Sequence, residues 1–155
     1  MHASSNRFTD RHGAAAVETA MVLPIALLFM FGIMEYGRFV MTQQVLTNAA
    51  REGCRYAVTH VNPVTLGGVT YGAATSNVTT VISNISPGVQ LSGQSTQVYA
   101  SDTLGNNLGT WTSAVEGQCI CVKITGNYVP LLSTYLHMPA SIAVQAQAVM
   151  RVEGS

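Results

Sequence analysis

Between Ala14 and Met34 only one side chain is ionisable, the carboxylate of Glu18. In hydrocarbon such a group costs about 2.5–3.5 kcal/mol, so it calls for a partner or a short route to water. Gly13 stands just before the small apolar run Ala14-Ala15-Ala16-Val17. Scission after Gly13 would create an amine on Ala14, four residues before Glu18, on the same helical face and largely protonated near neutrality. The chemistry implied is a charge pair made by proteolytic processing. The alternative is a carboxylate that snorkels to the nearer headgroups.

Three cysteines, Cys54, Cys119 and Cys121, are the other candidates for covalent chemistry, and an odd count allows at most one internal disulfide. Cys119 and Cys121, two apart on a strand, have α-carbons roughly 6.6–6.8 Å apart with parallel side chains, at the limit of disulfide geometry. Cys54 paired with either one would close a loop of more than sixty residues, contributing about 4 kcal/mol by chain entropy. Three free thiols, or a three-thiolate metal site lacking a spaced fourth ligand, are the alternatives. His2, His12, His60 and His137 are scattered, and no metalloprotease helix, nucleophile elbow, phosphate-binding glycine loop or paired C-x-x-C motif occurs. The sequence calls for no catalytic residue, metal, cofactor or small-molecule substrate. Charged residues are 9% of the chain and the formal net charge is zero, which leaves no basic surface for nucleic acid.

These residues depend on the elements that place them. Residues 14–34 reach roughly 31 Å as a helix, close to the hydrocarbon thickness of a bilayer. From Leu23 to Ile33 the stretch is apolar all round rather than along one stripe, which predicts a membrane span, kinked or locally unwound at Pro24. Arg7, Arg11 and His12 precede it against Asp10 alone, whereas Glu35 and Arg38 balance just after it. By the positive-inside tendency the N-terminus stays cytoplasmic and the remainder is exported. Where a secretory signal would carry small residues for cleavage, this chain has Ile33-Met34-Glu35-Tyr36, so the span is expected to be retained. Tyr36 and Phe39 are suited to the outer interface, and Glu35 and Arg38 share one helical face.

No proline occurs between Pro24 and Pro63, and Asn48, Arg51, Glu52 and Arg55 recur opposite Leu46, Ala49, Ala50, Gly53 and Ala57. The span is therefore expected to run on as an amphipathic stalk whose small residues admit a close neighbour. Residues 59–71 read as a loop with Asn62-Pro63 and Gly67-Gly68 as turns. Val78, Val81, Ile82 and Ile85 predict a short helix ending before Pro87-Gly88. Strands are expected near 97–100, 118–125 and 141–153, with Ile120, Val122 and Ile124 on one face and Ile142, Val144, Ala146, Ala148, Met150 and Val152 on another. An antiparallel sheet with one buried face, laid on the stalk, gives an α+β body.

Gly13, the small residues after it, Glu18, the apolar run and Gly32-Ile33-Met34-Glu35-Tyr36-Gly37-Arg38 together resemble the TadE-like minor pseudopilins of the tight-adherence, Flp-type pilus. The likeness covers roughly residues 11–58, through Asn48-Ala49-Ala50-Arg51-Glu52-Gly53; the family usually has an aromatic residue where this chain has Thr19. The resemblance implies cleavage between Gly13 and Ala14 by a membrane aspartic prepilin peptidase, with Glu18 as fifth residue of the mature chain and acting in assembly. It further implies a non-catalytic, single-pass subunit of the bacterial inner membrane, partnered by the peptidase and other pilin-like subunits. Its expected role is in pilus initiation or a tip complex, and hence in surface adhesion. The organisation expected is a leader 1–13, a span 14–36, a stalk 37–58 and an exported α+β domain 59–155. A secretion-system pseudopilin and a membrane-anchored binding domain without a filament are the alternatives.

Overall fold

The computed structural model describes residues 8–61, 64–66, 69–71, 74–89, 91–135 and 138–153; Arg7, His2, His137 and the expected turns at Asn62-Pro63 and Gly67-Gly68 lie outside them. One helix dominates: α1, Phe8–Thr59, has 52 residues and at the α-helical rise is about 78 Å long. It passes through Pro24 without interruption, so the expected unwinding is absent. Proline removes the hydrogen bond to the Ala20 carbonyl alone, and unwinding further would strand more backbone groups in an apolar medium. From Gly13 to Met34 nearly every side chain is exposed, and the helix is long and apolar enough to cross a membrane.

Beyond Glu35 the same helix acquires a buried stripe. Leu46, Ala49, Ala50, Gly53, Cys54 and Ala57 recur at helical spacing and all are inaccessible to solvent. On the opposite side Glu52 and Arg55 form an exposed ion pair. At its end Thr59 Oγ1 donates to the Tyr56 carbonyl at 3.0 Å and the His60 ring stacks on Tyr56, closing a terminus whose last carbonyls have no helical partner.

Two elements cover this stripe. The first, α2 (Thr75–Ile85), buries Val78 and Ile82 against α1 and ends before Pro87, as its periodicity predicts. The second is a four-stranded antiparallel sheet. With β3 (Ser92–Ser101), β4 (Asn107–Gly109), β5 (Cys119–Tyr128) and β6 (Ile142–Arg151), its order is β4-β3-β5-β6. In register Val98 faces Val122 and Val122 faces Ala148, while Ile124 faces Ala146, so Ile120, Val122, Ile124, Val144, Ala146 and Ala148 form one face packed on the helix.

Residues 59–71, read as loop, hold a hairpin instead: β1 (Val64–Leu66) pairs with β2 (Val69–Tyr71). Val-Thr-Leu and Val-Thr-Tyr either side of Gly-Gly are β-formers about a turn-former, too short to stand out as strands. The expectation of one buried face also needs correction at the start of β5, where Cys119 and Cys121 are buried on the far face as well. The connection from β3 to β4 folds over the far side, where Asp102 accepts from the backbone N–H groups of Leu104 and Asn106, each at 2.9 Å. Gly105, at φ +86°, comes so close that a Cβ there would lie 3.4 Å from Val149 Cγ2 and 2.0 Å from Gln147 Nε2. Trp111, in a single 3₁₀ turn, is core, with its indole donating to Thr75 Oγ1 at 3.1 Å.

Gly53 marks the closest approach of α2 to α1: a Cβ there would sit 2.9 Å from Ile82 Cγ1 and 3.4 Å from Val78 Cγ1. Gly53→Leu should overpack this crossing and cost about 1–3 kcal/mol. Gly53→Ala should cost less than the leucine change, because a single methyl displaces only the Ile82 side chain slightly and the helix regains up to about 1 kcal/mol of propensity. Denaturant unfolding in detergent, followed through Trp111 fluorescence, separates the two; equal stability for the leucine variant would contradict the crossing.

Candidate functional site

Four of the residues singled out in the sequence lie on α1. Gly13, Ala14 and Glu18 are exposed on its N-terminal part, with open space around Gly13. Ala14 and Glu18 share a face one turn apart, while Thr19 Oγ1 turns back to the Ala15 carbonyl at 2.9 Å. The bond after Gly13 is thus part of a helix, and glycine leaves a helix at a cost about 1 kcal/mol below that of alanine.

Cys54, also on α1, lies in the seam with the sheet. Its Sγ donates to the Ile120 carbonyl at 3.1 Å, and burial pushes the thiol up to about 12. Cys119 and Cys121 are buried too, and all three thiols are free. They belong to the other face of β5: Cys121 pairs in register with Tyr99 and Val149, away from the Ile120 face that Cys54 touches. The backbone of β5 therefore stands between Cys54 and its two candidate partners. Alkylation of the unfolded chain without prior reduction is expected to modify all three; a mass shift appearing only after reduction would instead locate a bridge.

The most developed polar constellation joins α1 to the end of β5. Glu35 is 1% exposed, although it sits at the end of the bare apolar stretch. Its Oε1 accepts from the Tyr128 hydroxyl at 2.5 Å and from the Leu131 backbone N–H at 3.3 Å. Arg38 reaches both carboxylate oxygens at 3.4 Å, half exposed to solvent. Its guanidinium stands 5.9 Å above the Tyr128 ring, which meets Phe39 edge-on at 5.5 Å. Helical periodicity puts Glu35, Arg38 and Phe39 on one side, and the length of β5 brings Tyr128 down to them. A buried carboxylate is tolerable only with such donors, and each charge-assisted bond contributes roughly 1.5–3 kcal/mol. Burial, then the hydrogen bond to Glu35, pushes the Tyr128 phenol up to about 12.

Sequence reasoning finds the Glu35–Arg38 pair but misses Tyr128 and Leu131. The missing signal is long-range, since these partners are 93 and 96 residues away. A carboxylate against an apolar run hints that a donor must come from elsewhere, without saying from where. Among the described residues no cluster of histidine, cysteine, aspartate or glutamate could hold a metal.

A helix bare and long and apolar enough to cross a membrane in its first half, and covered by an antiparallel sheet in its second, gives an α+β protein laid out as a single-pass anchor with a folded body. Residues 13–55 match the family described as TadE-like protein, a family of pilus structural components. The likeness read from Gly13, Glu18 and the Glu35-Tyr36-Gly37-Arg38 stretch falls on the same segment. Searches of the curated proteins and of the solved structures return no match to this chain.

Tyr128→Phe should cost about 1.5–3 kcal/mol, and Glu35→Ala about 3–5 kcal/mol, since it also strands the Leu131 N–H. The double variant should cost less than the sum, whereas strict additivity would mean that the two are not coupled. Stability should also fall at alkaline pH. Tyr128 and Cys54 titrate near 12 in the fold against ordinary values of 10.0 and 9.0. Their contribution is thus complete below about pH 9 and is lost as pH rises toward about 12. Tyr128→Phe should flatten the upper part of that fall.

Proposed function

We propose that this chain is a minor pilin-like subunit of a tight-adherence pilus, acting in the initiating or tip complex and so in surface adhesion. The single observation that carries the reading is the family match on residues 13–55, the stretch of α1 that holds Gly13, Glu18 and the bare apolar run. In this reading the N-terminus is cytoplasmic, the sheet domain is exported from the inner membrane, and a prepilin peptidase removes residues 1–13. The cut frees the amine of Ala14, which pairs with Glu18 of its own or an adjacent subunit. Exposed along its length from Gly13 to Met34, the helix can exchange lipid for the helices of other pilin-like subunits. The sheet domain holds the second half of the helix straight during that exchange. No step is catalytic.

The tests are paired. Gly13→Leu should block processing, because a bulky side chain crowds the cut site, and the protein should keep its leader in cells with an active peptidase. Glu18→Ala should still be cut and stay in the membrane but be missing from sheared pili and from cross-linked pilin complexes. A mature wild-type protein that still begins at Met1 would defeat the processing reading. Normal incorporation of the alanine variant would leave Glu18 as a snorkelling residue without a role in assembly.

A further inference from the structure

The connection between β5 and β6 does not stay with the sheet. Its turn, residues 131–135, runs back along α1, where Leu132 and Tyr135 line a cleft of about 360 Å³ with Pro24, Leu27, Leu28 and Phe31. These helix residues lie four to eleven positions before Glu35, or about 6–16 Å down the helix toward its N-terminus. They belong to the apolar span. Leu27 and Phe31 are correspondingly the least exposed of its large side chains, at 38% and 39%.

We propose that this turn is a lipid-inserted foot, entering the leaflet on the C-terminal side of the span through its headgroups and reaching into its acyl region. The inference rests on α1 being a membrane helix, and span length then carries it. Were the turn in water, the helix beside it from Pro24 to Phe31 would be in water too. Residues 14–23 alone would remain for the hydrocarbon, roughly 15 Å against the 30 Å required. The turn's own chemistry agrees with immersion. Residues 129–141 contain no Asp, Glu, Lys or Arg, and His137 is their one side chain that titrates near neutrality, so no permanent charge has to be buried in lipid. Leu131 and Tyr135 remain 70% and 78% exposed, an apolar–aromatic pair suited to contact with lipid. The backbone partly closes on itself, with Tyr135 N–H donating to the Leu132 carbonyl at 3.1 Å and Met138 N–H to the Ser133 carbonyl at 3.0 Å, as a low-dielectric setting demands. Glu35 fixes the direction of entry by holding the Leu131 N–H.

The test places tryptophan at Tyr135 or at Leu131 in the full chain, reconstituted in phosphatidylcholine nanodiscs, with buried Trp111 as the common background. Lipids brominated at shallow or deep acyl positions, and acrylamide in the water, are the quenchers. Phe29→Trp on the span is the control. Tyr135→Trp and Leu131→Trp should add emission that shallow bromines quench strongly and acrylamide quenches weakly. If Phe29→Trp is quenched by lipid while both turn variants respond to acrylamide alone, the foot is refuted and the span stands. Protection of both turn variants from lipid and acrylamide together would mean that protein covers the turn, and would equally refute it. If Phe29→Trp escapes the bromines, the span itself fails and the inference with it.

Discussion

Small side chains along one stripe of α1 set the distance between helix and sheet, and most of the fold follows from that distance. Ala49, Ala50, Gly53, Cys54 and Ala57 present little more than backbone. The Cys54 thiol can therefore reach a strand carbonyl, and Ile82 can lie over a bare glycine. Larger residues would push β5 outward and open voids that the alanines of β6 could not fill. Because β5 is central in the sheet, paired with β3 on one side and β6 on the other, its seat on the helix decides the register of both neighbours. The pleat then does the sorting: even-numbered residues of β5 face the helix, and Cys119 and Cys121 go to the far side beneath the β3–β4 connection.

Glu35 marks the point where this seam ends and the bare helix begins. An apolar residue there could be equally stabilising, since a buried carboxylate gives up hydration that its partners only repay. What a carboxylate adds is direction. One oxygen accepts both from the last residue of β5 and from the first N–H of the turn that follows Pro130, so strand end and turn are aimed along the helix rather than away from it. Arg38, on the solvent side, balances the charge without being buried. A local electrostatic requirement thereby orients a connection that residues 129–135 alone leave undefined.

Much of this was legible in the sequence, in proportion to how local the cause was. The long helix, its exposed first half and its small-residue stripe follow from periodicity within α1, and α2 follows from four apolar residues at helical spacing. The core faces of β5 and β6 follow from alternation. What escaped depended on distant partners or on very short elements. The β1–β2 hairpin and β4 are three residues per strand, below the length at which alternation has meaning. Burial of the far face of β5 comes from a loop held over it by Asp102 and Gly105, which no pattern within β5 records. Tyr128 lies beyond the strand expected over 118–125, and only the tertiary approach of Glu35 gives it a role. Of the two outcomes expected at Pro24, local unwinding does not occur, because a missing hydrogen bond is a local deficit and the rest of the helix carries on past it.

The exposed half of α1 also constrains what the molecule can do. A helix of that length and width offers on the order of 1,000 Å² of side-chain surface, and at about 25 cal/mol per Å² its transfer to water would cost about 25 kcal/mol. That exceeds the usual 5–15 kcal/mol stability of a whole domain, so departure into water alone is excluded on energetic grounds. Such a helix leaves a bilayer only if other apolar helices receive it as the lipid withdraws, which is what a filament of pilin-like subunits provides. On the proposed reading Glu18 sharpens the condition: lipid offers it no donor, whereas the Ala14 amine of a neighbouring subunit offers one only when the subunits are in register. A carboxylate that is costly in the membrane and satisfied in the assembly biases the transfer forward. On the proposed reading, the residue that looks most out of place in the span is the one that favours leaving it.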